Sequence, residues 1–319
     1  MVILAIIMLL GTVGNVMVMH VIIVHRRMHT STNVFIGSLA LSDLLFMVGI
    51  PFIITTKVTV QWVLGDTLCD IVFFLMFICG SSSILTMMAI SFDRWVLVCH
   101  PHWHTLTITQ ALLVAAAMWL MACAISVPLG LAFQVGDFYG PNYLFCTIIW
   151  PNGIDGKLYI MVATIFLLVI PTCFIAMNYA RIFYTIRLSH KRARGNNAAA
   201  MNSSQLRLIK LFVTVVLFFA AMYTPFFILN ILLLYTTVPL TSTHYTWCVI
   251  TCLLNAATNP LLYGYFNENY RRHFREMIAC RCSQSDDDSV ETPINGETKL
   301  DRRSTSAGAP LQLKTSVAL

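Results

Sequence analysis

The stretch Ser38–Phe52, "SLALSDLLFMVGIPF", places Asp43 inside an apolar run that has no lysine or arginine close by in the chain. A carboxyl group at the centre of a membrane helix costs about 2.5–3.5 kcal/mol on insertion scales. A chain tolerates such a group where a bundle interior supplies polar partners. The reading of this stretch depends on whether its surroundings are a membrane.

Composition says that they are. Hydrophobic residues make up 58% of the 319 residues and charged ones 11%, against about 25% charged in soluble domains. Mean hydropathy is +0.76. A helical span needs about 20 apolar residues. Seven segments qualify, near 1–24, 34–56, 69–98, 109–132, 158–180, 208–235 and 244–265. The first lacks the basic leader and short core of a signal peptide and reads as a true span. Connecting loops are short, and a polar tail follows residue 283. The expected fold is therefore an all-α membrane protein, a seven-transmembrane helix bundle. The expected domains are 1–265 for the bundle, 266–282 for an amphipathic helix, and 283–319 for a disordered tail.

Charge sets the expected orientation. Arg26 and Arg27 follow the first span, and Arg181, Arg187, Lys191, Arg192, Arg194, Arg207 and Lys210 lie between the fifth and sixth. Arg271, Arg272, Arg275 and Arg281 follow the seventh, whereas the alternate loops offer only Lys57 and Lys157. Basic loops face the cytoplasm. The N-terminus is thus expected outside and the tail inside. The net charge of +6 follows from this asymmetry and implies contact with anionic membrane lipid. It requires no nucleic acid.

Prolines punctuate five spans: Pro51, Pro128, Pro171, Pro225 and Pro260. They predict kinks, although proline is also commoner in membrane helices generally. Polar residues at membrane depth are Asn15, Asp43, Ser83, Asn255 and Asn259. Two uses are open to them: a water-filled cage for a small cation, or a polar cluster that only holds helices together.

The ordered fragments resemble a rhodopsin-like (class A) G protein-coupled receptor over nearly the whole chain. They are "GNVMV" (Gly14–Val18), "LALSD" ending at Asp43, "WVLG" (Trp62–Gly65) before Cys69, "DRW" (Asp93–Trp95), Trp119, Pro171 with Tyr179, Phe219 with "YTP" (Tyr223–Pro225), and "NPLLY" (Asn259–Tyr263) followed by "FNENYRRHF". The resemblance implies an allosteric sodium ion held by Asp43, Asn15, Ser83, Asn255 and Asn259, and no other cofactor. It implies coupling to a heterotrimeric G protein through Asp93, Arg94, Tyr179, Asn259, Pro260 and Tyr263, with outward swing of the sixth helix. Ile84, Pro171, Phe219, Tyr223 and Pro225 match the relay from ligand to that helix. Three departures stand out. Trp95 replaces the usual tyrosine. Gln205 replaces the acid that locks Arg94, which implies raised basal activity. Tyr223 replaces the tryptophan at the pocket floor.

By the same resemblance the ligand pocket is lined by Met76, Phe77, Gly80, Ser81, Thr164, Tyr223, Phe226, Phe227, Asn230, Tyr245, Val249 and Leu253. Met76 stands where receptors for cationic amines carry an aspartate, so a cationic amine is not expected. Leu253 stands where opsins carry the retinal lysine, and the last span has no lysine. A neutral or lipid-like small molecule or a peptide remains. "FICGSSSILTMMAISFDRWVLVCHP" (Phe77–Pro101) is weakly similar to melatonin receptors and their invertebrate relatives, but "DRW" and "NP" depart from their pattern. "NPLLYGYF" is also similar to the endings of opioid and somatostatin receptors.

Of ten cysteines, Cys69 at the outer start of the third span and Cys146 in the second outer loop face an oxidising compartment. A Cys69–Cys146 disulfide is expected. Asn267–Ile278 places Phe266, Tyr270, Phe274, Met277 and Ile278 at helical spacing beside arginines, the pattern of an interfacial eighth helix. Cys280 and Cys282 after it are either palmitoylation sites or free thiols. His100, His102 and His104 read as solvated loop residues. In the tail, "SQSDDDS" (Ser283–Ser289) is either a phosphorylation-dependent arrestin site or an inert solvated stretch. The terminal "SVAL" could add to a PDZ domain as a strand. The Asn202 sequon falls on the cytoplasmic side and is expected to be unused. No nucleophile–base pair or paired acids for catalysis appear, so no enzyme activity is expected. A seven-helix transporter or channel is the alternative class, although no internal repeat supports it.

Overall fold

The computed structural model describes residues 2–137, 144–196, 203–235 and 242–279. Cys280, Cys282, the tail and the Asn202 sequon lie outside them. The first span is α1 (Val2–Val24). The second is broken in two, α2 (Ser31–Met47) and α3 (Ile50–Thr59). Pro51 has no N–H to continue the ladder and sits at the start of α3, which places the break just before it. Gly49 fills the break: a Cβ there would overlap the Met76 side chain. The bare backbone lets the second and third spans interlock.

The third span is α4 (Asp66–Cys99). At 34 residues it is about 50 Å long and forms the axis of the bundle. Cys79, Gly80, Ser81, Ser82 and Ser83 are all buried. Lipid tails are as apolar as leucine, so close packing of small residues does the holding here. Around it lie α5 (Ile108–Gly130), α6 (Gly156–Thr164) and α7 (Ile170–Asn196). Then come α8 (Ser203–Tyr235), α9 (Ser242–Phe266) and α10 (Glu268–Ile278). A π-helical stretch, Ile165–Val169, joins α6 to α7 ahead of Pro171. Sequence alone placed only a kink there.

Among the described residues, six spans are long and apolar enough to cross a membrane: Val2–Val24, Ser31–Thr59, Asp66–Cys99, Ile108–Gly130, Gly156–Leu188 and Val213–Leu232. The seventh, α9, is long enough at 25 residues but more polar, because it carries Thr251, Asn255, Thr258 and Asn259. These face the interior or bond their own helix: Asn255 and Asn259 are buried, and Thr258 Oγ1 donates to the Leu254 carbonyl at 2.6 Å. The bundle has seven spans, with α10 packed against α9 and α1. The fifth and sixth spans run beyond their expected ends, since polar turns continue the helices past the apolar segments.

The second outer loop carries a hairpin. β1 (Phe133–Asp137) pairs antiparallel with β2 (Leu144–Ile148), with Val135 opposite Cys146. Cys146 is disulfide-bonded to Cys69, Cα atoms 5.6 Å apart. The loop before α4 is tied in as well. Trp62 N–H donates to the Leu144 carbonyl at 2.7 Å, and its indole donates to the Gly65 carbonyl at 2.8 Å. Gly65 there adopts φ +82°, a conformation glycine reaches without a Cβ clash.

Candidate functional site

Three polar or concave sites lie along the axis of the bundle. At the disulfide end is a cavity of about 100 Å³. Met76, Phe77, Gly80 and Ser81 of α4 line it, with Thr164 of α6 and Tyr223, Phe226, Phe227 and Asn230 of α8. Val249 and Cys252 of α9 close one side, and Phe133 and Ile148 of the hairpin cover the mouth. Among the described residues, no lining residue is charged. Tyr223 packs against Phe219 with ring centroids 4.6 Å apart, and Ile84 lies beside them in the lining. Ser81 Oγ is buried without a hydrogen-bond partner. Asn230 Nδ2 bonds the Phe226 carbonyl at 2.8 Å.

Two expected lining residues differ. Leu253 is fully buried away from the cavity, among Leu4, Ile7, Met47 and Ile50. One residue is 100° of helix rotation, so it is Cys252 that reaches the pocket. The Tyr245 side chain is outside the described set, as is that of Gln205.

Below the pocket sits the polar hub. Asn259 Nδ2 donates to Asp43 Oδ2 at 2.8 Å. Ser42 Oγ, not expected from sequence, gives its one proton to the Leu39 carbonyl and lies 2.8 Å from Ser83 Oγ. Ser83 is therefore the donor between them. Asn15 spends both amide protons on the carbonyls of Gly11 and Ala256, at 2.9 and 3.1 Å, tying α1 to α9. Its Oδ1 and both side-chain polar atoms of Asn255 are buried without partners. Trp119 of α5 donates to Ser38 Oγ at 3.1 Å.

The third site is the opposite, DRW end. Asp93 Oδ2 accepts from Thr32 Oγ1 at 2.9 Å and from Arg94 Nη2 at 3.0 Å. Thr32, on α2, was not anticipated. Among the described residues, the buried hydroxyls of Tyr179 and Tyr263 have no hydrogen-bond partner. Asn178 Nδ2 donates to Ser91 Oγ at 3.1 Å, linking α7 to α4. Tyr270 of α10 donates to Asn33 Oδ1 at 3.1 Å, and Asn33 Nδ2 in turn donates to the Met28 carbonyl at 2.7 Å. His25 stacks on His273, centroids 3.8 Å apart. Burial and the neighbouring His273 hold the His25 imidazole below its ordinary pKa. Burial raises the Tyr270 phenol above its own. His100 is not simply solvated: it stacks on Trp103 at 4.2 Å and meets Trp95 edge-on at 4.7 Å.

The sequence profile described as "7 transmembrane receptor (rhodopsin family)" matches residues 14–263. The chain belongs to the rhodopsin family of receptors. Somatostatin receptor type 5 of Rattus norvegicus is 31% identical over 293 residues, covering 88% of this chain and 78% of that one. QRFP-like peptide receptor of Branchiostoma floridae is 29% identical over 324 residues, covering 96% and 85%. Neuropeptide FF receptor 1 of Homo sapiens is 29% identical over 299 residues, covering 87% and 69%.

A rhodopsin-family receptor is a G protein-coupled receptor and performs no bond chemistry, which sets aside the transporter or channel alternative and enzyme activity. The receptor's pocket and its DRW end are joined by α4, which carries residues of all three sites. The residues that sequence reasoning missed, Ser42, Thr32, Asn33 and Cys252, are small or amide side chains on helices. Their only signal was helical phase: Ser38 and Ser42 lie one turn apart, facing Thr86 and Ser83.

Proposed function

We propose that this receptor recognises a peptide arriving from outside the cell, whose uncharged apolar end enters the cavity between α4, α8 and α9. The observation that carries this reading is the lining: apolar, with hydroxyl and amide groups and no charge. A cavity near 100 Å³ suits one ring or branched side chain; an engineered cavity of about 150 Å³ takes up benzene. The rest of a peptide would lie across the hairpin. The names of the relatives, which include a QRFP-like peptide receptor and neuropeptide FF receptors, favour a peptide over a neutral or lipid-like small molecule or a melatonin-type ligand.

Occupancy must favour one arrangement of the helices, since equal binding to both shifts nothing. The relay runs from Tyr223 and Phe219 through Ile84 and Pro171, with Pro225 as the hinge of α8. Outward swing of α8 opens the DRW end, where Arg94, Tyr179 and Tyr263 meet a heterotrimeric G protein. G protein and ligand raise each other's affinity. Orientation follows the basic loops: N-terminus outside, tail inside, in the plasma membrane. Arrestin would read the Ser283–Ser289 cluster after phosphorylation, and Cys280 and Cys282 would carry palmitate.

Asp43, Ser83, Asn255 Oδ1 and Asn15 Oδ1 are hard oxygen donors, two of them buried without partners. That donor set fits a sodium ion, which when bound would supply a positive charge favouring the resting arrangement.

The test is nucleotide exchange on a panel of G proteins in receptor-bearing membranes, screened with peptides and with neutral small molecules. A peptide response that is lost in Arg94→Ala and weakened in Phe227→Ala is expected. A response to neutral small molecules alone overturns the peptide reading.

A further inference from the structure

Beside the DRW end, one open groove of about 540 Å³ combines a cation, aromatic rings and an apolar lane. Trp95, Cys99 and His100 of the DRW end form one wall; Met177, Arg181 and Tyr184 of α7 form the other. The Arg181 guanidinium lies 5.7 Å from the centre of the Trp95 ring, a cation–π contact. No acidic residue is available to it nearby in sequence: Ile170–Asn196 and 94–107 contain neither Asp nor Glu. Asp93 is already engaged by Thr32 and Arg94.

Met177, Arg181 and Tyr184 share one stripe of α7. The opposite stripe, Ile175, Asn178, Tyr179 and Ile182, is buried in the bundle. Towards the disulfide end the outer surface of this span is apolar and exposed at Phe166 and Ile170. The surface therefore asks for a negative head at Arg181 and an apolar tail running away from it. A free phosphate lacks the tail, and a sterol lacks the charge. Arginine pairs with phosphate oxygens bidentately, and tryptophan and tyrosine suit the glycerol region of a bilayer.

We propose that this groove is a binding site for an anionic membrane phospholipid, its phosphate on Arg181, its glycerol region against Trp95 and Tyr184, and one acyl chain along Met177. The proposal rests on the orientation above only in that the DRW end must face an anionic leaflet in the cell.

Nanodiscs present lipid to both faces, so the test does not depend on orientation or on coupling. The full-length receptor is placed in phosphatidylcholine nanodiscs with and without phosphatidylserine. Hydrogen exchange of the wild-type receptor should show phosphatidylserine-dependent protection of peptides covering 94–104 and 177–188. Native mass spectrometry should then show about fivefold weaker phosphatidylserine retention in Arg181→Gln, the worth of one basic side chain at an anionic surface. Arg187→Gln, whose guanidinium stacks on Phe183 instead, should lose clearly less of the lipid than Arg181→Gln does. No protection in the wild type, equal loss in both variants, or retention of phosphatidylcholine instead overturns the proposal.

Discussion

Asn259 and Asp43, 216 residues apart in the chain, are joined by a 2.8 Å hydrogen bond in the buried centre of the bundle. This bond closes the second span onto the seventh. Removing the donor leaves the carboxyl group with one partner fewer where water is scarce. Asn259→Ala should lower stability by about 1–3 kcal/mol, the usual cost of leaving a buried polar group without its partner, measured as a fall in Tm of the purified receptor. Asp43→Asn should abolish the difference in nucleotide exchange between sodium and potassium buffers. Sodium sensitivity that survives Asp43→Asn removes the ion from this site.

Adjacent residues in α9 should behave oppositely. Leu253 fills an apolar cluster against α1 and α2, and Cys252 lines the pocket. Leu253→Ala should cost about 2–5 kcal/mol by opening a cavity, with ligand response retained in the folded fraction. Cys252→Phe should leave Tm nearly unchanged and suppress the ligand response by occupying the cavity. Equal loss of response in both variants would contradict the assigned faces.

The hairpin depends on Cys69 and Cys146. A disulfide in a folded protein is commonly worth about 2–4 kcal/mol, and insertion in a bilayer already restrains this chain. Cys69→Ser with Cys146→Ser should lower Tm and raise hydrogen exchange in β1 and β2 more than in α9. Unchanged exchange in the hairpin would mean that its strand pairing with Trp62 holds it unaided.

The junction of α10 with the first inner loop should be sensitive to acid. His25 stacks on His273 and faces Glu276, His20 and Arg272, with Glu276 the one group that favours its protonation. Its folded pKa lies below the ordinary value of 6.5. The released junction therefore binds more protons between those two values, and docking strengthens as pH rises through them. Docking is complete above about pH 6.5 and weakens as pH falls towards the folded value. Hydrogen exchange of α10, corrected for intrinsic rates, should rise on acidification, and His25→Phe should flatten the rise.

What the sequence could disclose follows from cost. Asp43, Asn15, Asn255 and Asn259 are expensive at membrane depth, so their presence alone marked the hub. Ser42 and Thr32 are cheap on a helix, because each can bond its own backbone, and helical phase alone could not single them out until neighbouring helices were in place. Leu253 and Cys252 show a second limit: matching residues to a family gives position along a helix but not its phase. The hairpin was legible in principle. "FQV" and "LFCTI" flank Gly140-Pro141-Asn142, a turn signal between two β-prone runs. The π-helical stretch before Pro171 was marked only by the proline, which removes an N–H from the ladder; the sequence does not say whether the helix answers with a kink or a π turn.

The methionine seated in the gap at Gly49 divides the labour of the bundle. The second and third spans cannot slide along each other unless Met76 withdraws, whereas α7 and α8 meet only sparsely. The locked pair of spans is thus a fixed frame; α7 stays packed on α4 and α8 on α9, and it is the seam between α7 and α8 that is thinly held. A bulkier residue at position 49 would wedge the frame itself, and the harm would reach both ends of the receptor at once.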